Sequence, residues 1–125
     1  MEGAVRKLKC VKAVGPDGIL SEYLIGFYNV GSKIILRLLN IIFSNNIYPE
    51  TWTKFFLKPI FKKGETSLPD NYRGLAIGSS FAKLFSFILL GRLNTYVEKH
   101  KMISSNQIGF MKGSRTSDHI FLLKL

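Results

Sequence analysis

Lysines recur every fourth residue, at Lys54, Lys58 and Lys62, through a stretch that also carries Phe55, Phe56, Pro59 and Phe61. A four-residue step lines one face of a helix or of a strand, so the period alone leaves both open. Pro59 separates them, because inside a helix it would remove a backbone bond and clash with the preceding turn. The aromatic residues also favour a pleated surface. Residues 53–63 therefore read as a strand, with Phe55, Leu57, Pro59 and Phe61 on one side and the three lysines on the other. Successive lysines then stand about 13 Å apart, at roughly 3.3 Å per residue. The result is a one-sided basic ribbon over an apolar floor. Because proline cannot donate a ladder hydrogen bond, the strand is an edge or is bent.

A polar connection from Lys63-Gly64 to Asp70-Asn71 leads into a second short strand, Tyr72–Ile77, with Arg73, Leu75 and Ile77 on one face. The two strands make an antiparallel hairpin, about 53–63 and 72–77, with lysines on one arm, Arg73 on the other and a flexible tip. Helical periods flank it. Residues 2–8 suit a short helix, and Gly15, Pro16 and Gly18 mark a loop. Ser21 suits the N-cap of a helix carrying Tyr23, Leu24 and Phe27. Gly31-Ser32 restarts a longer helix with Ile34, Ile35, Leu38, Leu39, Ile42 and Phe43 at three- and four-residue steps, ended by Asn45-Asn46 and Pro49. Ser80 suits the cap of another, running to about Lys99, with a broad apolar face of Phe81, Leu84, Phe85, Ile88, Leu89 and Leu93. Residues 99–115 read as a basic loop, and Ser117 as the cap of a final helix. The fold class is α+β and α-rich: several helices packed around one antiparallel hairpin.

At 125 residues, 46% of them apolar, the chain is one domain or part of one, and too apolar for a disordered tail. It carries 18 Lys+Arg against 8 Asp+Glu, a net charge of +10, which favours a polyanionic partner. Arg37 interrupts one apolar stretch, and Lys83 and Arg92 the other, so neither gives the ~18 uncharged residues of a spanning helix, and no membrane partner is expected. The start, MEGAVRKLKC, has no apolar run behind its basic residues, so secretion is not expected. Cys10 is the only cysteine, which excludes an intrachain disulfide and suits a small core residue better than a nucleophile. Together with the separated His100 and His119, it gives no zinc-ligand spacing.

Four blocks carry a family likeness: KAVGPDGI (12–19), LKPIFKKG (57–64), NYRGLAIGSSFAK (71–83) and NQIGFMKGSRTSDHI (106–120). Taken in order, with Trp52 ahead of the strand, they resemble the reverse transcriptases of non-LTR, LINE-like retrotransposons, and the likeness covers nearly the whole chain. It implies the fingers and the start of the palm of a right-hand RNA-directed DNA polymerase, a nucleotidyltransferase. The partners it implies are an RNA template, a DNA primer, dNTP and the remainder of the polymerase chain. By the same likeness Arg73 holds the triphosphate of the incoming dNTP, assisted by a lysine of the opposing arm. A guanidinium forks to two phosphate oxygens and an ammonium acts as a point charge, so the residue types suit the task. Whether that lysine is Lys62 or Lys63 stays open, because a one-residue slip changes the face. For Arg73 the structural alternative is a salt bridge to Asp70 or Glu65.

Lys54 and Lys58 then suit nucleic acid, as do Gln107, Lys112 and Arg115 of the last block, mostly through backbone phosphates. Phe110 either stacks on a base or is buried. Asp118, after Ser117, suits helix-dipole complementation rather than a metal. Two departures loosen the pattern: Val14 and Gly74 stand where the family often has proline. The larger departure is that no Asp follows Asp118 and no Asp-Asp pair occurs, whereas two-metal phosphoryl transfer needs carboxylates to hold Mg2+. The expectation is an incomplete polymerase domain over residues 1–125, without catalytic or metal residues of its own, inactive alone, with Mg2+ belonging to the complete enzyme. By the same likeness it assembles in the cytoplasm and acts on nuclear DNA. Two alternatives remain: a decayed or domesticated non-catalytic nucleic-acid-binding module, and a purely helical interaction domain whose charge is solvated surface.

Overall fold

The computed structural model describes residues 1–104, 107 and 113. They form a short helix α1 (Glu2–Val5), a long helix α2 (Ser21–Ser44), strands β1 (Phe56–Phe61) and β2 (Tyr72–Ile77) paired antiparallel, and a helix α3 (Ser80–Lys99). This is the expected α+β class, and the hairpin removes the purely helical alternative. The chain divides into a unit over Met1–Gly91 and a second over Arg92–Leu125.

In the first unit the core draws Val5 and Leu8 from the N-terminal turn, Leu24, Ile35, Leu39 and Ile42 from α2, Trp52, and Leu84 and Phe85 from α3. Helix α2 is continuous where a restart at Gly31 was expected. A glycine costs a helix interior about 1 kcal/mol relative to alanine, yet here packing requires it. A Cβ on Gly31 would lie 1.9 Å from the ring of Phe27, one turn back. The same helix ends where Asn45-Asn46 was expected to end it, and the geometry says why. Asn46 adopts a left-handed conformation and the Ile47 N–H reaches back to the Ile42 carbonyl, a closure that asparagine tolerates.

Both expected serine caps shift by one residue. The hydroxyl of Ser79, not Ser80, accepts from the Phe81 and Ala82 N–H groups at the start of α3. Ser21 is the first residue of α2, after Leu20. Its hydroxyl lies 3.2 Å from that of Ser80, in a buried hydrogen bond that pins the two helix starts together.

The apolar set expected on α2 divides. Ile35, Leu39 and Ile42 are buried, while Ile34, Leu38 and Phe43 are exposed, as are Phe27, Val30 and Ile41. By length and composition α2 is long and apolar enough to cross a membrane. Its buried residues follow a helical period facing the core, and Lys33 and Arg37 are exposed among apolar residues.

In the second unit, the last turns of α3 bring the Tyr96 and His100 rings to 4.4 Å. The helix closes with Lys101 in the left-handed region and a Met102 N–H to Val97 carbonyl bond.

Candidate functional site

The lysine ribbon is shorter than its period suggests. Glu50–Thr53 folds as a 3-10 turn that buries Trp52, so β1 begins only at Phe56. Lys54 falls outside the strand, and its ammonium lies 2.9 Å from the Glu50 carboxylate. A pair so exposed contributes little stability, but it occupies the cation. Lys58 and Lys62 remain.

The pairing register sets their relation to Arg73. Lys58 is opposite Leu75, Ile60 is opposite Arg73, and the Lys62 N–H donates to the Asn71 carbonyl at 2.8 Å. Opposed residues in an antiparallel pair share a face, and faces alternate along each strand. One face therefore carries Lys58, Lys62 and Arg73 beside Ile60, Leu75 and Ile77. Lys63 lies beyond the ladder, in the bend that follows the Lys62–Asn71 bond. Arg73 is diagonal to both lysines at about 7–8 Å between Cα positions. That is about one Debye length at physiological salt, so an anion above Arg73 senses all three charges. Among the described residues no carboxylate lies within ion-pair distance of Lys58, Lys62 or Arg73; Arg6 and Lys54 do have such partners, in Glu2 and Glu50. The Asp70 or Glu65 bridge to Arg73 does not form.

The ladder accommodates Pro59. Because the Lys62 and Asn71 pair is hydrogen-bonded, alternation puts Pro59 and Gly74 in a non-hydrogen-bonded pair, where a missing N–H costs no ladder bond. On that face Phe61 and Tyr72 meet edge to face at 5.5 Å. The apolar floor is not covered by helices: Leu57 is 74% exposed and every residue of β1 is open to solvent. The tip, expected to be flexible, is tied instead. The Asn71 amide donates to the Glu65 carbonyl at 2.8 Å, and the Tyr72 hydroxyl to the Thr66 carbonyl at 2.9 Å.

At the C-terminal end of β2 lies a cavity of about 580 Å3. Leu75 and Ile77, from the Arg73 face, line it with Lys12, Lys83, Tyr48 and Phe55. The GPDG loop helps to build it. Gly15 is buried with its backbone against the β2–α3 junction, where a Cβ would lie 2.4 Å from the Gly78 carbonyl oxygen. Gly18, at φ +69, and an Asp17 carboxylate accepting the Ile19 N–H shape the turn. Sequence reasoning missed this cavity, because Lys12, Tyr48 and Lys83 carry no shared period. Ahead of the loop, Val11 sits in the left-handed region and donates its N–H to the Glu22 carboxylate. That bond, and then the N–H of Glu22 itself, hold the Glu22 carboxyl below its usual pKa.

Gln107 is exposed, with its N–H bonded to the Ser104 carbonyl at 3.0 Å. Phe110, Lys112, Arg115 and Asp118 lie outside the described residues. Among the described residues no three His, Cys, Asp or Glu side chains gather as metal ligands.

Over 121 residues the chain is 24% identical to the "Probable RNA-directed DNA polymerase from transposon BS" of Drosophila melanogaster. It is homologous to a protein of that name. The match takes in 96% of this chain and 13% of that protein, so the chain spans a small part of its relative's length. No family profile matches the sequence.

Proposed function

We propose that this chain is the fingers and the start of the palm of a non-LTR, LINE-like retrotransposon reverse transcriptase. Arg73 and Lys62 hold the triphosphate of the incoming dNTP, and Lys58 extends the same cationic face toward the RNA template and DNA primer. The observation that carries this reading is the register of the hairpin, which sets a guanidinium between two ammonium groups on one exposed face without a carboxylate partner. The homology to a transposon polymerase along nearly the whole chain supports it. Arg73 forks to two phosphate oxygens, Lys62 adds a point charge, and both interactions strengthen as negative charge moves onto the leaving pyrophosphate. The carboxylates that hold Mg2+ belong, on this reading, to the remainder of the polymerase chain. These residues therefore bind and orient substrate without polymerising alone. Calorimetric titration with dTTP tests it. Arg73→Ala removes a bidentate, charge-assisted contact of roughly 1.5–3 kcal/mol, which is about a 10- to 150-fold loss of affinity. A loss smaller than twofold overturns the assignment.

A further inference from the structure

We propose that the outer edge of β2 is a docking site for an extended peptide, which adds to the hairpin as a third strand. The partner is a segment of another protein in which acidic and apolar residues alternate. The proposal goes beyond the polymerase reading and does not depend on it.

The two edges of the hairpin differ. In an antiparallel ladder, hydrogen-bonded pairs turn their N–H and C=O groups toward each other, and the residues between them turn theirs outward. The Lys62 N–H to Asn71 carbonyl bond sets the phase of the ladder. The outward groups therefore belong to Leu57, Pro59 and Phe61 on β1, and to Tyr72, Gly74 and Ala76 on β2. Pro59 has no N–H and stands at the middle of the β1 edge, a device that keeps an edge from pairing. The β2 edge has glycine at the matching position. Its Tyr72 N–H bonds to the Pro69 carbonyl. The outward N–H and C=O groups of Gly74 and Ala76 make no hydrogen bond among the described residues, and both residues are exposed. Such unpaired groups are a template for strand addition.

The neighbouring side chains specify what the added strand carries. A residue across from Arg73 shares the face of Lys58, Lys62 and Arg73, which have no carboxylate within ion-pair distance among the described residues. A carboxylate there meets the guanidinium at cross-strand distance, about 5 Å between Cβ atoms. A residue across from Gly74 falls on the other face, where Leu57 is 74% exposed and reaches over the glycine, 3.1 Å from the place of a Cβ. An apolar side chain there covers open apolar surface. Acidic and apolar positions thus alternate with the two-residue period of a strand. Ala76 also lines the cavity with Lys12, so this end of the edge opens beside a further cation. The net charge of +10 attracts an acidic partner and opposes pairing between two copies of the chain.

The test measures binding of a fluorescent peptide of alternating glutamate and valine to the 125-residue chain by polarisation. Gly74→Pro removes the central N–H of the edge but no hairpin bond, because Gly74 and Pro59 form a non-hydrogen-bonded pair. It is expected to weaken binding about tenfold, the effect of one lost bond and an unpaired acceptor. Gly74→Ala, which keeps the N–H, is expected to stay within threefold of the parent chain. A second readout needs no variant. Methylating the amide nitrogens at one alternate set of peptide positions is expected to abolish binding, and at the other set to leave it within threefold. A peptide with lysine in place of glutamate is expected not to bind. Equal affinities for the two methylated peptides, or for Gly74→Pro and the parent chain, mean charge attraction without strand pairing and overturn the proposal. No binding by the parent chain, or equal binding of the lysine peptide, also overturns it. The hairpin reading is tested separately by dTTP and stands in each of these cases.

Discussion

Replacing Gly15 with alanine should lever the GPDG loop away from the β2–α3 junction. The added Cβ would meet the Gly78 carbonyl oxygen at 2.4 Å, its carbon at 2.5 Å and the Ser79 nitrogen at 2.8 Å. All three are backbone atoms, so no side chain can swing clear, and the loop or the junction must move. Forcing a methyl into such a contact costs typically 1–3 kcal/mol. For a chain between the small and mid-sized domain classes, at about 4 °C per kcal/mol, that is a drop in Tm of roughly 4–12 °C. Thermal unfolding followed by circular dichroism reads it directly. Gly18 supplies the control within the same loop. Its φ is +69 and nothing lies within 4 Å of a Cβ, so asparagine, which tolerates the left-handed region, should be nearly neutral there. Asparagine at Gly15 should cost at least as much as alanine. Equal Tm values for Gly15→Ala and the parent chain, or equal losses for asparagine at both positions, would refute the argument that space rather than φ fixes Gly15.

Two further outcomes follow from the core and the loop. Leu84, with 0% exposure, is the largest fully buried side chain described, and Leu84→Ala should destabilise the chain by about 2–5 kcal/mol in urea unfolding; a loss below 1 kcal/mol would mean the site collapses or is not core. Glu22 has its folded pKa lowered chiefly by the Val11 N–H, so it stabilises the fold above its unfolded pKa of about 4.3 and loses that contribution as pH falls through the lower, folded value. Glu22→Gln should therefore flatten the acid limb of stability against pH in urea unfolding, and identical limbs would contradict the Val11 tie.

The hairpin was legible because its signals are local: a lysine period, a proline that forbids a helix, and aromatic residues that favour a strand. Lys54 misled because the same period continues into a 3-10 turn, where the buried Trp52 and the Glu50 pair decide the conformation. The helix break expected at Gly31 failed for a related reason. A glycine that breaks a helix and one that admits a neighbouring ring look alike until Phe27 is seen to lie over it. Which lysine stands across from Asn71 depended on a register that no single strand encodes, and the Lys62–Asn71 bond gives Lys62 that position. The cavity was out of reach because Lys12, Tyr48 and Lys83 come together only when loop, turn and helix are assembled.

The most direct test of the hairpin assignment compares inorganic triphosphate binding by Lys62→Gln and Lys63→Gln at fixed salt. Net charge changes equally in both, so a general electrostatic effect would weaken them equally. The register gives a different result: Lys62→Gln binds at least fivefold more weakly, in keeping with about 1 kcal/mol for one cation–phosphate contact in a wet site, while Lys63→Gln stays within twofold of the parent chain. Equal losses, or a larger loss at Lys63, would contradict the assignment of the triphosphate to the Arg73 face.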